Sequence, residues 1–132
     1  MNIENIVTNS KQARGFYSPA KKIDLGNSYL IFVSGIQCPK DENGIILSDD
    51  IKEQTTLVFE EIGKILNNAG ANFDDVVKAV IYLTDMNDFS IVSSIRQEYF
   101  INSKPVSTMV EVNGFTESRS KIEIEVTAII KK

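Results

Sequence analysis

The hydrophobic pattern of this chain predicts a single α+β domain, a mixed β-sheet with two helices packed on one face. Three observations carry the prediction. Only two stretches have helical periodicity, and each shows one apolar stripe. The other hydrophobic segments alternate at a period of two, as half-buried strands do. The 132 residues are 42% hydrophobic and 24% charged, ordinary usage for one globular core spanning 1–132.

Each element follows from local chemistry. Ile3 to Thr8 is a short strand candidate, and Ser28 to Ser34 is an aromatic and β-branched strand entered from a Gly26-Asn27 turn. Lys40 to Gly44 is a polar turn, followed by a short strand at Ile45 to Leu47. Asp50 to Ala69 is the clearest helix. Its Ile51, Thr55, Val58, Ile62, Ile65, Leu66 and Ala69 recur at steps of three and four. Asp50 with Glu53 resembles a capping box, and Gly70 suits the position after the helix. Asn72 to Asp75 forms a turn, and Val77, Ala79, Ile81 and Leu83 alternate along the next strand. Asp85 or Asn87 caps a second helix bearing Phe89, Val92, Ile95 and Tyr99. Pro105 precedes a strand with Val106, Thr108, Val110 and Val112 on its aliphatic face. After a loop from Asn113 to Ser120, the last strand runs from Lys121 to Ile130, with Ile122, Ile124, Val126, Ala128 and Ile130 facing one way.

Two helices cover one face of such a sheet. The other face is assigned Tyr82, Met109 and Ile129, mixed with Ser107, Glu111, Glu123 and Glu125. That mixture is too apolar for water and too charged for a sealed core. A subunit interface containing polar clefts accommodates both.

Composition excludes several chemistries. Histidine is absent, which removes Ser-His-Asp and Cys-His nucleophiles, HExxH zinc sites and two-histidine ribonuclease chemistry. The formal charge is −4, so a nucleic acid is an unfavoured partner. The single cysteine, Cys38, is too little for an intrachain disulfide or a Cys-rich metal site, and no basic group adjoins it to favour a thiolate. No metal or cofactor is expected. The N-terminal residues lack a signal-peptide apolar run and no stretch is long enough to span a bilayer, which predicts a cytoplasmic protein without a membrane partner. Proton transfer is left to carboxylates, Tyr, Lys, Cys or water. If the strands at 106–112 and 121–126 pair antiparallel, Glu111, Glu123 and Glu125 approach one another and could orient water; interface ion pairs are the plainer role.

Five segments stand in the order found in the RidA/YjgF family, also labelled endoribonuclease L-PSP: Gly15-Phe16-Tyr17-Ser18, Phe32-Val33-Ser34-Gly35, Asp85-Met86-Asn87-Asp88-Phe89, Pro105 to Val112, and Ile122-Glu123-Ile124-Glu125. The chain resembles that family over about Ile6 to Ile130. The resemblance implies a chorismate-mutase-like subunit, a homotrimer, and a small-molecule cleft between adjacent subunits. It also implies hydrolysis of enamine or imine intermediates to 2-keto acids and ammonia, without a cofactor. On the matching positions, Glu123 is the catalytic candidate that positions water. Tyr17, Ser34, Gly35, Ser93, Ser107 and Met109 are the substrate-binding candidates.

The match has departures. The family's deaminases carry Arg two residues after the proline, where it holds the substrate carboxylate; here that position is Ser107. Ser93 stands where Asn is frequent, Met109 where Cys is frequent, and Ile36 where Gln is usual. Loss of the clamp predicts weak standard deaminase activity and a preference shifted toward neutral ligands, unless Arg14 or Arg119 replaces the cation. The alternative is a trimer that binds a small metabolite without turnover, and ribonuclease activity ranks below both.

Overall fold

The structure is a computed structural model that describes residues 1–7 and 16–132. Eight elements follow in order: β1 (Ile3–Ile6), β2 (Ala20–Asp24), β3 (Ser28–Gln37), α1 (Ile51–Asn68), β4 (Val76–Leu83), α2 (Phe89–Tyr99), β5 (Val106–Glu111) and β6 (Ile122–Lys131). The strands form one sheet in the order β1-β2-β3-β6-β4-β5. All pairings are antiparallel except β4 with β5, whose crossover is α2. Thus the sheet is mixed and the two-helix layer covers one face, as the periodicity predicts.

α1 is held at both ends. The Asp50 carboxylate accepts from the Glu53 amide at 3.0 Å, while the Glu53 side chain accepts from Ser48 Oγ, so only half of the expected capping box forms. At the far end Gly70 takes φ +84°, and Ala71 N donates to Leu66 O, closing a Schellman turn. Val58, Phe59, Ile62, Ile65 and Leu66 lie fully buried against Ile31, Ala79, Ile81, Ile122 and Ile124 of the sheet. Phe59 stacks on Tyr99 of α2 at 4.5 Å between ring centres and meets Phe73 and Phe100 edge-on. These rings lock α2 to α1, and α2 carries side chains of the candidate site.

Several expectations need correction. β2 was not anticipated: Ala20-Lys21-Lys22-Ile23-Asp24 is polar because it lies near the sheet edge, yet it pairs with β3 through a hairpin turning at Gly26, φ +99°. Ile45 to Leu47 makes only an isolated bridge, Lys40 with Ile46, rather than a strand. In β4 a register shift between Val76 and Lys78 buries Val76 and exposes Val77. Asp85 caps a short 3₁₀ turn, Met86–Asp88, and α2 itself starts at Phe89 without a side-chain cap. Phe89 is exposed rather than part of the buried stripe.

The largest correction concerns β5. It pairs only with β4, in parallel, so Ser107 lies beside Ala79, Met109 beside Ile81 and Glu111 beside Leu83. Paired residues share a face, which puts Ser107, Met109 and Glu111 on the helix side and Val106, Thr108 and Val110 on the open side. Tyr82, Ile129, Glu123 and Glu125 do lie on the open face. Because β4 separates β5 from β6, Glu111 never joins Glu123 and Glu125; its carboxylate accepts from the Met86 amide at 2.8 Å.

Candidate functional site

The open-face half of the site forms where β3, β6 and β4 meet. β3 departs from regular register between Val33 and Ile36, after which Gln37 lies opposite Glu123. Gln37 Nε2 donates to Glu123 Oε1 at 2.9 Å. The other carboxylate oxygen fills the space beside Gly35, where an added Cβ would stand 2.6 Å from Glu123 Oε2. Gly35 is therefore required by close approach, not by backbone conformation, since its φ is not in the left-handed region. Ser34 Oγ donates to the Ser18 carbonyl at 2.7 Å, and Ser34 N donates to Pro19 O. These bonds hold the segment bearing Tyr17, a mostly exposed ring, against β3.

The neighbouring groups leave Glu123 in an acidic, hydrogen-bonded setting. Tyr82 donates its phenol proton to Glu125 in a very short hydrogen bond. That bond, followed by burial and the charges of Glu125 and Glu123, pushes the Tyr82 phenol up to about 12. Tyr82 is thus a neutral donor at physiological pH. β6 is anchored upstream by buried Gln54 of α1, which donates to Ser48 O and Arg119 O and accepts from Lys121 N. Every polar atom of that amide head has a protein partner, so the start of β6 is fixed two residues before Glu123.

The second half lies on the helix side of the edge strand. Ser93, Arg96, Gln97 and Phe100 of α2 and its end face Lys104, Pro105 and Ser107 across an open cleft of about 470 Å³. Arg96 Nη2 donates to Ser93 Oγ at 3.0 Å and Nη1 to Ser107 Oγ at 3.2 Å. The guanidinium therefore reaches Ser107, the residue at which the sequence predicts the loss of a cation. Sequence reasoning named Ser93 and Ser107 but passed over Arg96. The signal was available: positions 93, 96, 97 and 100 follow the i, i+3, i+4, i+7 spacing of one helix face.

The other predicted residues separate. Met109 is half-buried, packs against the core and does not line this cleft. Arg119 is held in a two-point pair by Asp49, at 2.8 and 2.6 Å, and the carboxylate in turn raises the Arg119 pKa. It is not available as a replacement cation. Arg14 lies outside the described residues. Cys38 is buried, and that burial pushes its thiol up, so it is a poor nucleophile. Among the described residues no group of His, Cys, Asp or Glu is placed to hold a metal, and no helix is long and apolar enough to cross a membrane.

In one chain the two groups of residues lie on opposite faces of the sheet. Glu123 and Gly35 look out from the open face, whereas Ser93, Arg96 and Ser107 stand on the helix side of β5. The open face also exposes Phe32, Val106, Val110 and Ile129.

Comparison with known proteins gives this arrangement a context. Residues 7–130 match the family described as Endoribonuclease L-PSP. A RutC family protein of Pyrococcus abyssi is 46% identical over 119 residues, covering 89% of this chain and 87% of its own. The human 2-iminobutanoate/2-iminopropanoate deaminase is 32% identical over 129 residues, covering 96% of this chain and 90% of its own. Among solved structures, E. coli TdcF with bound serine superposes with a TM-score of 0.80 at 28% identity, covering 97% of this chain and 99% of that one.

Proposed function

The chain belongs to the RidA/YjgF family, the family described as Endoribonuclease L-PSP, and from that membership we propose that it hydrolyses 2-imino acids to 2-keto acids and ammonia. The observation that carries the reading is the Glu123 carboxylate, held by Gln37 and fitted against a glycine that leaves room for it. A carboxylate fixed in this way orients a water molecule. The water oxygen forms a bond to the C=N carbon and one of its protons passes to nitrogen. The resulting carbinolamine collapses to the C=O group as the C–N bond breaks, and ammonia leaves. Water supplies the oxygen and both hydrogens, so no redox partner is involved.

The working unit in this reading is a homotrimer with the open faces turned inward and the cleft shared between adjacent subunits. The separation of the two half-sites supports it, because the edge strand β5 and helix α2 of one subunit can bring Ser107 and Ser93 to the neighbour's Glu123. The exposed apolar groups of the open face supply a reason to associate. A ribonuclease is disfavoured by the −4 charge and the lack of histidine.

The test measures ammonia and 2-oxobutanoate released from freshly generated 2-iminobutanoate, with sedimentation on the same sample. Wild type accelerates hydrolysis as a trimer, and Glu123→Gln, which keeps the Gln37 contact, loses at least about a hundredfold. A wild type that binds 2-oxobutanoate without accelerating hydrolysis identifies a metabolite-binding protein. A stable monomer at micromolar concentration refutes the shared cleft.

A further inference from the structure

We infer that Arg96, delivered from α2, is the carboxylate anchor of this cleft and gives it specificity for small 2-oxo and 2-imino acid anions; this rests on the deaminase reading above. Among the described residues no carboxylate pairs with Arg96. Its two partners are neutral hydroxyls, Ser93 Oγ and Ser107 Oγ, which orient the guanidinium fork without cancelling its charge. A planar fork held by two hydroxyls at the wall of an open cleft matches a planar carboxylate. Lys104, also lining the cleft, adds a second positive charge. It sits at φ +46°, a backbone conformation costly for a side-chain-bearing residue, and its amide donates to Phe100 O. The last carbonyls of α2 disfavour an anion nearby. Two of them are already bonded, Arg96 O by Phe100 N and Phe100 O by Lys104 N, and the two cations outweigh the remainder.

Serine at 107 is then a partner for the charge rather than its loss. A shorter side chain on β5 leaves room for a long one from α2, and the guanidinium reaches the cleft from the other wall. The preference for neutral ligands expected from Ser107 alone is replaced by a preference for anions.

The test is titration calorimetry on the full chain with 2-oxobutanoate, its uncharged amide 2-oxobutanamide, and inorganic phosphate, beside the imine-hydrolysis assay. Wild type binds 2-oxobutanoate roughly ten- to a hundredfold more tightly than the amide, the range for one charge-assisted pair. Arg96→Gln abolishes that preference with unchanged melting temperature. Arg96→Gln combined with Ser107→Arg, which moves the guanidinium between two side chains already in contact, restores it. Equal binding of 2-oxobutanoate by wild type and Arg96→Gln overturns the anchor and leaves the deaminase reading intact if hydrolysis persists. Arg96-dependent binding without hydrolysis supports the anchor and overturns the deaminase reading. Phosphate binding as tight as 2-oxobutanoate makes the cleft a general anion site and overturns the specificity claim.

Discussion

Gly35→Ala separates the fold from the chemistry. The added methyl would meet Glu123 Oε2 at 2.6 Å and Cδ at 2.8 Å. Restoring ordinary contact of 3.4–4 Å displaces the carboxylate by about 1 Å. The obstacle is the end of a flexible side chain, not backbone, so the sheet stays in place and Glu123 turns away. The Gln37–Glu123 hydrogen bond at 2.9 Å is then lost or lengthened. Such a bond is worth about 0.5–1.5 kcal/mol net, and replacing glycine with alanine returns about 0.4–1 kcal/mol by restricting the unfolded chain. The two nearly cancel, so stability changes by less than about 1 kcal/mol.

Catalysis has no such offset. A misplacement of about 1 Å in a group that orients the nucleophile costs on the order of a hundredfold. The expected result is therefore a melting temperature within about 5 °C of wild type and a kcat/KM for 2-iminobutanoate lower by roughly 10². Measuring denaturant unfolding and single-substrate kinetics on one preparation checks both halves. A kcat/KM within about threefold of wild type refutes the role of Glu123 as placed here. A stability loss above about 3 kcal/mol refutes the claim that the side chain, rather than the strand, absorbs the clash.

Other substitutions probe the surrounding structure. Phe59→Ala removes the central ring of the α1–α2 aromatic cluster and should destabilise by about 3–5 kcal/mol in denaturant titration; a loss below about 2 kcal/mol would show that the cavity collapses. Tyr82 contributes a phenolate absorbance step displaced to about 12, which Tyr82→Phe deletes; a titration unchanged by the substitution contradicts the Glu125 contact. Because the folded pKa lies above the ordinary 10, its stabilising effect is complete below pH 10 and is lost as pH rises from about 10 to about 12, so the stability gap to Tyr82→Phe narrows there. Buried Cys38 should react with a disulfide reagent at least about a hundredfold more slowly in the native than in the unfolded protein, and comparable rates would disprove its burial.

The helices and the strong strands were legible because burial on one face writes a period into sequence. Ile122, Ile124, Val126 and Ala128 all fall on the core side of β6, as their alternation requires. The outer strands were less legible. β2 carries Lys21, Lys22 and Asp24 within five residues; β1 and β3 pair both its flanks, but its side chains after Ala20 are only partly covered, which permits that. β5 has aliphatic residues on one face, yet the core lies behind the other, where Met109 packs. Periodicity reports which side chains are apolar, not which partner covers them. A strand whose aliphatic side faces a neighbouring subunit reads the same as one facing its own core.

The site shows a related limit with a different cause. Glu123, Ser34 and Gly35 could be named from the family resemblance because each falls within a short contiguous motif, and Gly35 does lie against Glu123 where the β3–β6 register shifts. Ser107 read alone looked like a vacancy. Its meaning depends on Arg96, eleven residues away in sequence and one hydrogen bond away in space. That contact exists only because α2 is packed at one height above β5. The height is set by Phe59 stacking on Tyr99 and by Phe100, which meets Phe59 edge-on at 5.5 Å and also lines the cleft. The charge of the cleft is therefore a property of helix packing as much as of a strand residue. A cation reaching in from α2 inherits the rigidity of that aromatic cluster, while one on an edge strand would rely on a single ladder of backbone hydrogen bonds.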